Sequence, residues 1–190
     1  TQSLSSDRFL KLVASSKLVE ESALVKLEKR VRDQLQGRLP NRVEKLSNLF
    51  VRQGLLTDWH VEKLLAGKYK GFFLGKYKLL GHIGTGGMSS VYLAEHTRMG
   101  DQRAIKVLPK SRVKDATYLA RFQLEAKAIA SLNHPNIVLA YDLDNDGDVH
   151  YIVMEYVNGT DMQQIVKQHG PLDMKFAAEM VAQAARGLQH

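Results

Sequence analysis

Apolar residues in the first 67 positions recur at intervals of three and four, the spacing that lines one face of an α-helix. Four such runs are separated by short breaks. Ser5 or Ser6 can cap a helix that runs to about Ser15, and Glu20 to about Gln34 forms a second. Gly37 and Pro40 then interrupt the pattern. A third helix spans about Asn41 to Gln53 and stops at Gly54, and Thr57 or Asp58 caps a fourth that ends near Gly67. The two halves repeat. At a spacing of 37 residues, Phe9, Leu12, Val13, Leu18, Val19, Leu24 and Leu27 fall against Leu46, Leu49, Phe50, Leu55, Leu56, Val61 and Leu64. The expectation is an all-helical bundle of two αα-hairpins. Trp59 and His60 have no second His or carboxylate at metal-ligand spacing beside them, and read as packing and surface residues.

After Gly75 the pattern changes to short runs rich in β-branched and aromatic residues. Lys76–Ile83, Ser90–His96, Gly100–Leu108, Ile137–Asp142 and Val149–Glu155 read as five strands, with one helix from about Asp115 to Leu132 and two more at Thr160–His169 and Asp173–His190. The class is therefore α+β, a helical segment followed by an antiparallel sheet. Lys68 to Gly75 connects the two. Its Phe72, Phe73 and Leu74 are too apolar for a free linker and are expected to dock one part on the other.

Composition narrows the class without naming a function. The 190 residues are 44% hydrophobic, enough to bury a real core, and include no cysteine, which excludes a disulfide framework and thiolate metal sites and agrees with a reducing cytoplasm. No apolar run approaches the roughly 20 residues that span a bilayer, and no signal-peptide pattern opens the chain. The formal charge of +7 is uneven: residues 1–70 hold 14 Lys and Arg against 8 Asp and Glu, residues 71–190 hold 13 against 12. These basic residues are scattered among helix-forming apolar ones without aromatic interleaving. A solvated helix face accounts for them, an acidic partner or anionic surface is the other reading, and nucleic-acid binding is not expected.

The candidate chemistry centres on a glycine turn. Gly84, Gly86 and Gly87 leave the backbone between two strands without Cβ atoms, so its N–H groups can approach a polyphosphate. A dinucleotide fingerprint must open a helix, and a Walker loop needs Gly-Lys-Ser/Thr; neither is present. Two residues apart on the third strand, Ala104 and Lys106 share a face, so Lys106 needs a partner or a ligand there. Glu125 supplies one, because Tyr118, Phe122, Ile129 and Leu132 lie on its side of the helix and should carry the carboxylate inward. An ordinary surface pair with Arg121, one turn away, is the alternative. Asp142, Asp144, Asp146 and Gly147 resemble the first half of a calcium loop, but Val153 stands where the bidentate Glu is required. Asn145 to Asp148 is read as a hairpin turn instead, and no metal ligand is assigned.

In order along the chain, Gly84-x-Gly86-x-x-Ser89-x-Val91, Ala104-Ile105-Lys106, Glu125 on its helix, His134-Pro135-Asn136-Ile137-Val138 and Tyr151-Ile152-Val153-Met154-Glu155-Tyr156-Val157 resemble the N-lobe of a eukaryotic-type protein kinase. The run Gly84-Thr85-Gly86-Gly87-Met88-Ser89 is similar to the bacterial Hanks-type Ser/Thr kinases, and a helical module before Gly71-Phe72-Phe73-Leu74-Gly75-Lys76-Tyr77 is similar to planctomycete kinases. One departure is Ser89, where the family often has a third glycine.

The resemblance implies a division into a helical regulatory or interaction domain at 1–67, a linker at 68–75, a kinase N-lobe of five antiparallel strands and one αC helix at 76–157, and the hinge and start of a C-lobe at 158–190. It implies ATP as cofactor, with Gly84, Thr85, Gly86, Gly87, Met88 and Ser89 over the phosphates. Lys106 would hold the α- and β-phosphates and Glu125 would fix Lys106. Ile83, Val91, Ala104 and Met154 would wall the adenine pocket, backbone groups of Glu155 and Val157 would bind its edge, and Asp161 would touch the ribose. The family's His-Arg-Asp loop and its Mg²⁺ ligands would follow His190, and Thr1 reads as the start of a fragment. The expectation is a protein Ser/Thr kinase whose ATP-binding half alone is catalytically inactive, a non-catalytic pseudokinase module being the alternative. Expected partners are ATP, protein substrates of the parent, and a second copy through the helical domain or through Phe176, Met180, Val181, Ala184 and Leu188 on the last helix, with no membrane partner.

Overall fold

The computed structural model describes residues 4–86, 89–109, 113 and 115–190, so Gly87 and Met88 of the glycine turn lie outside the described residues. Among these are seven helices and six strands. They pack as two compact units, Thr1–Ile83 with Tyr92–Asp101, and Gly84–Val91 with Gln102–His190.

In the first unit α1 (Ser6–Ser16), α2 (Glu21–Gln34), α3 (Val43–Arg52) and α4 (Asp58–Leu65) share one apolar core. The 37-residue repeat reappears as burial. Phe9 and Leu46 are both inaccessible, as are Val13 and Phe50, and the Phe9 and Phe50 rings meet edge to face at 5.8 Å. The turns match as well. Lys17 ends α1 in the left-handed region at φ 58°, and Gly54, 37 residues on, has φ 68° after α3. Helix α3 starts at Val43, two residues later than the sequence pattern places it, with Arg42 as an N-cap that makes no side-chain bond.

Residues 68–75 carry a strand that the sequence reading missed. β1 (Phe73–Leu74) pairs antiparallel with the start of β2 (Tyr77–Thr85), Phe73 against Lys78 and Leu74 against Tyr77, which makes six strands rather than five. Gly75, at φ 50°, makes the tight reversal between them possible. Phe72 is 2% exposed within the helical core, Phe73 packs against that core, and Leu74 is buried.

Helix α4 begins with a reciprocal cap. The Thr57 hydroxyl accepts from the His60 N–H at 3.2 Å, while His60 Nδ1 accepts from the Thr57 N–H at 3.1 Å. Because Nδ1 accepts, the ring proton lies on Nε2, which donates to the Leu79 carbonyl at 2.6 Å. The Thr57 hydroxyl donates to the next carbonyl, Leu80, also at 2.6 Å. Lys78 Nζ donates to the Leu18 carbonyl at 2.9 Å, and burial pulls the lysine pKa down. His60, read from the sequence as packing or surface, is 1% exposed and its pKa falls from 6.5 to about 4. Burial is the main cause, opposed by the bond to Leu79 and assisted by the charge of Lys78. β3 (Ser90–His96) places Tyr92 against Trp59 at 5.9 Å between centroids and against His82 at 5.2 Å.

In the second unit β4 (Gln102–Val107) pairs antiparallel with β6 (Val149–Glu155), and β6 with β5 (Ala140–Asp146). β5 starts at Ala140 instead of Ile137, because Pro135 and Asn136 form a turn in which the Ile137 N–H bonds to the His134 carbonyl. It then continues to Asp146, opposite Val149, and leaves Gly147-Asp148 as the reversal. Asp115 caps α5 (Ala116–Ala130), whose Phe122 and Ala126 pack with Leu108 and Ile152. α6 (Met162–His169) and α7 (Met174–Gln189) complete the unit. A Cβ on Gly187 would stand 3.1 Å from the Asn136 carbonyl, so α7 can come this close to the His134–Ile137 turn only with glycine there. Along α7, Phe176, Val181 and Leu188 are exposed.

Two outcomes follow for stability. Phe72→Ala should destabilise the protein by about 3–5 kcal/mol in urea titration, the ordinary cost of emptying a buried phenylalanine site. For His60, the unfolded chain takes up a proton below pH 6.5 while the folded chain resists until about pH 4. Its contribution is whole above pH 6.5 and is lost as the pH falls toward 4. The melting temperature of His60→Gln should therefore change less than that of the parent chain between pH 6.5 and pH 5 in calorimetry.

Candidate functional site

Strand β4 fixes the first member of the site. Ala104 and Ile105 are buried and Lys106 lies opposite Ile152 of β6, so the backbone that carries Lys106 is pinned on its β6 side. Helix α5 fixes the second. Phe122, three residues before Glu125, and Ala126, one residue after it, are buried. From these anchors Lys106 Nζ donates to Glu125 Oε1.

The pair is not the desolvated one that the sequence led us to expect. The Lys106 side chain is 21% exposed and that of Glu125 is 44% exposed. The buried stripe of α5 runs through Phe122 and Ala126, which puts Glu125 on its margin. A pair this open adds little to stability, about 0.2–1 kcal/mol by the usual range for solvent-accessible ions. Its significance is positional.

Both residues line a cavity of about 330 Å³ together with Gly86, Ser89, Leu108, Tyr118, Arg121 and Phe122. The Gly86 N–H donates to the Ser89 carbonyl at 2.8 Å, closing the glycine turn, and Ser89 is buried. Gly84 and Gly86 have no positive φ, and a Cβ on either would meet no heavy atom of the described residues closer than 3.6 Å. Neither backbone strain nor packing against the described residues requires glycine here. The space is left open to something else. Two cations, Lys106 and Arg121, against the one carboxylate of Glu125 give the cavity a net positive lining suited to a polyanion.

The remaining sequence-derived positions fall as follows. Thr85 ends β2, and Val91 on β3 lies beside Gly84, whose added Cβ would sit 3.9 Å from Val91 Cβ. Ala104 is buried directly across from Met154, and Ile83 is 48% exposed. The Glu155 N–H is committed to the Leu139 carbonyl at 2.9 Å, so any contact of its backbone with a ligand comes through its carbonyl. Val157 is 60% exposed. Asp161 caps α6, Oδ1 accepting from the Gln164 N–H at 2.7 Å, a task the sequence reading had not given it. Leu108, Tyr118, Arg121 and Phe122 were not counted as site residues. Arg121 carried a legible signal, being one helical turn from Glu125, but was read as its rival partner.

If the pair positions more than it stabilises, Glu125→Gln should shift the unfolding free energy by less than about 1 kcal/mol in a denaturant titration. A loss above 2 kcal/mol would show a structural ion pair instead.

Residues 77–190 match the family model for the protein kinase domain. The chain is 41% identical over 116 residues to the serine/threonine-protein kinase PrkC of Bacillus subtilis, covering 61% of this chain and 18% of the relative. It is 38% identical over 120 residues to PknA of Mycobacterium tuberculosis, covering 60% and 28%. The solved PknI kinase domain of Mycobacterium tuberculosis superimposes with a TM-score of 0.53 at 29% identity, covering 62% of this chain and 48% of that one. The chain thus spans less than a third of these curated relatives. No helix among the described residues is long and apolar enough to cross a membrane. The glycine turn, the Lys106–Glu125 contact and the match over 77–190 lead to one conclusion: the chain belongs to the protein kinase domain family.

Proposed function

We propose that these 190 residues are the ATP-binding part of a serine/threonine protein kinase, preceded by a helical regulatory domain like that of planctomycete kinases. The observation that carries this reading is the convergence of Lys106, Glu125, Gly86 and Ser89 on one cavity. The fit to ATP rests on the chemistry of the lining: an ammonium oriented by a carboxylate, a second cation, and two glycines that neither backbone strain nor packing against the described residues requires. Lys106 would hold the α- and β-phosphates, and Glu125 keeps its ammonium from swinging into solvent. Backbone N–H groups near Gly84 and Gly86 would approach the phosphates, Ala104 and Met154 would cover the adenine with Val91 and Ile83, and the Glu155 carbonyl and Val157 would meet its edge. Asp161 keeps one carboxylate oxygen for a ribose hydroxyl.

ATP supplies the transferable phosphoryl group, and Mg²⁺ would neutralise its charge. The sequence contains no His-Arg-Asp run and no Asp-Phe-Gly run, so the residues present bind and orient without a base or a metal ligand of that kind. These 190 residues are therefore read as nucleotide-binding and catalytically silent alone, with protein substrates belonging to the longer kinase. The exposed Phe176, Val181 and Leu188 on α7 favour self-association of the isolated chain.

Calorimetric titration with ATP should show one saturable site that weakens at least tenfold in Lys106→Met with melting unchanged. Equal binding by both proteins would overturn the reading. Incubation with radiolabelled Mg-ATP and a generic protein acceptor should yield no Lys106-dependent transfer.

A further inference from the structure

The nucleotide reading leaves unexplained why α4 carries three specialised side chains on one turn. Thr57 and His60 donate to the consecutive carbonyls of Leu80 and Leu79 on β2. Between them Trp59 packs edge-on against Phe72 at 5.6 Å and against Tyr92 of β3 at 5.9 Å. One short helix thus touches both strands that enter and leave the glycine turn. Leu79 is the last buried residue of β2; beyond it come Gly81, with open space around its Cβ position, and the exposed His82 and Ile83. His82 rests on the same Tyr92 ring, at 5.2 Å. The incoming strand is therefore held by α4 at Leu79 and Leu80, four residues before Gly84, and the outgoing strand at Tyr92, two residues after Ser90.

We infer that Thr57, Trp59 and His60 are positioning residues for the phosphate-binding turn, so that the helical domain sets nucleotide affinity through the base of the hairpin. The inference rests on the ATP reading for its biological sense, but the mechanical coupling does not need ATP to be seen. A strand end held by two hydrogen bonds and one aromatic contact samples fewer conformations than one held by main-chain pairing alone, and a turn ordered in advance binds its ligand more tightly. The coupling is reciprocal: a ligand that orders the turn must also tighten α4 on β2. A partner that pulls α4 away would lower nucleotide affinity without touching the cavity.

The test uses the full 190-residue chain and two readouts. The first is hydrogen exchange of the Gly86 amide, bonded to the Ser89 carbonyl, measured by NMR without nucleotide. The second is the Kd for ATP by calorimetry. In Thr57→Val, and in His60→Leu should the first variant not fold, Gly86 exchange should rise about fivefold and Kd should weaken by a similar factor. Thr57→Ser, which keeps the hydroxyl, and His60→Gln, which keeps an N–H toward Leu79, should restore both. Folded variants in which Gly86 exchange and Kd equal those of the parent chain would overturn the proposal. If Gly86 exchange responds but the parent chain binds no ATP, the coupling stands and the ATP reading fails.

Discussion

A backbone carbonyl removed from water must find a donor, and at Leu79 and Leu80 the donors come from a helix cap. The organisation of the first unit follows from that requirement. The Thr57 and His60 side chains already satisfy the N-terminal N–H groups of α4; by spending their remaining hydrogens on β2 they make one four-residue turn serve two elements. Both ring nitrogens of His60 are engaged, which fixes its tautomer and keeps it neutral while buried. Phe72 fills the space beside it, its ring 5.4 Å from the imidazole. The helical segment and the first strands are accordingly one packed body rather than two bodies on a tether.

The second unit answers to a different constraint. An ammonium and a carboxylate are held from rigid elements, yet left open enough that desolvation never becomes the dominant cost. Lys106 inherits its precision from the β4–β6 ladder and Glu125 from the Phe122–Ala126 stripe. A pair this exposed contributes its geometry more than its energy.

Much of this was legible in the residues, and the losses have physical causes. Helix spacing located the starts of α1, α2 and α4 within a residue, and Ser5 and Thr57 announce two of them chemically. Phe73–Leu74 was missed as a strand since two residues are too few to show a period of two. β5 was placed three residues early because Ile137 and Val138 have strand character that the Pro135 turn overrides. Lys106 and Glu125 could be matched from sequence, but not their exposure: periodicity locates a face only to within about one residue, and Glu125 sits at its border. The double duty of Thr57 and His60 could not be foreseen, since it depends on Leu79 and Leu80, some twenty residues away, in the same small space.

The repeat within the helical segment has its own consequence. Positions 37 residues before Thr57, Trp59 and His60 are Glu20, Ser22 and Ala23, and Glu20 forms no side-chain cap. The two hairpins are alike as packing units and unlike as binding faces. A pseudo-symmetric bundle would otherwise present two equivalent surfaces to the rest of the chain, and a sheet edge could dock on either. Three differing positions break that degeneracy: the second hairpin meets β2 through side-chain donors, whereas the first offers it the Leu18 carbonyl that accepts from Lys78.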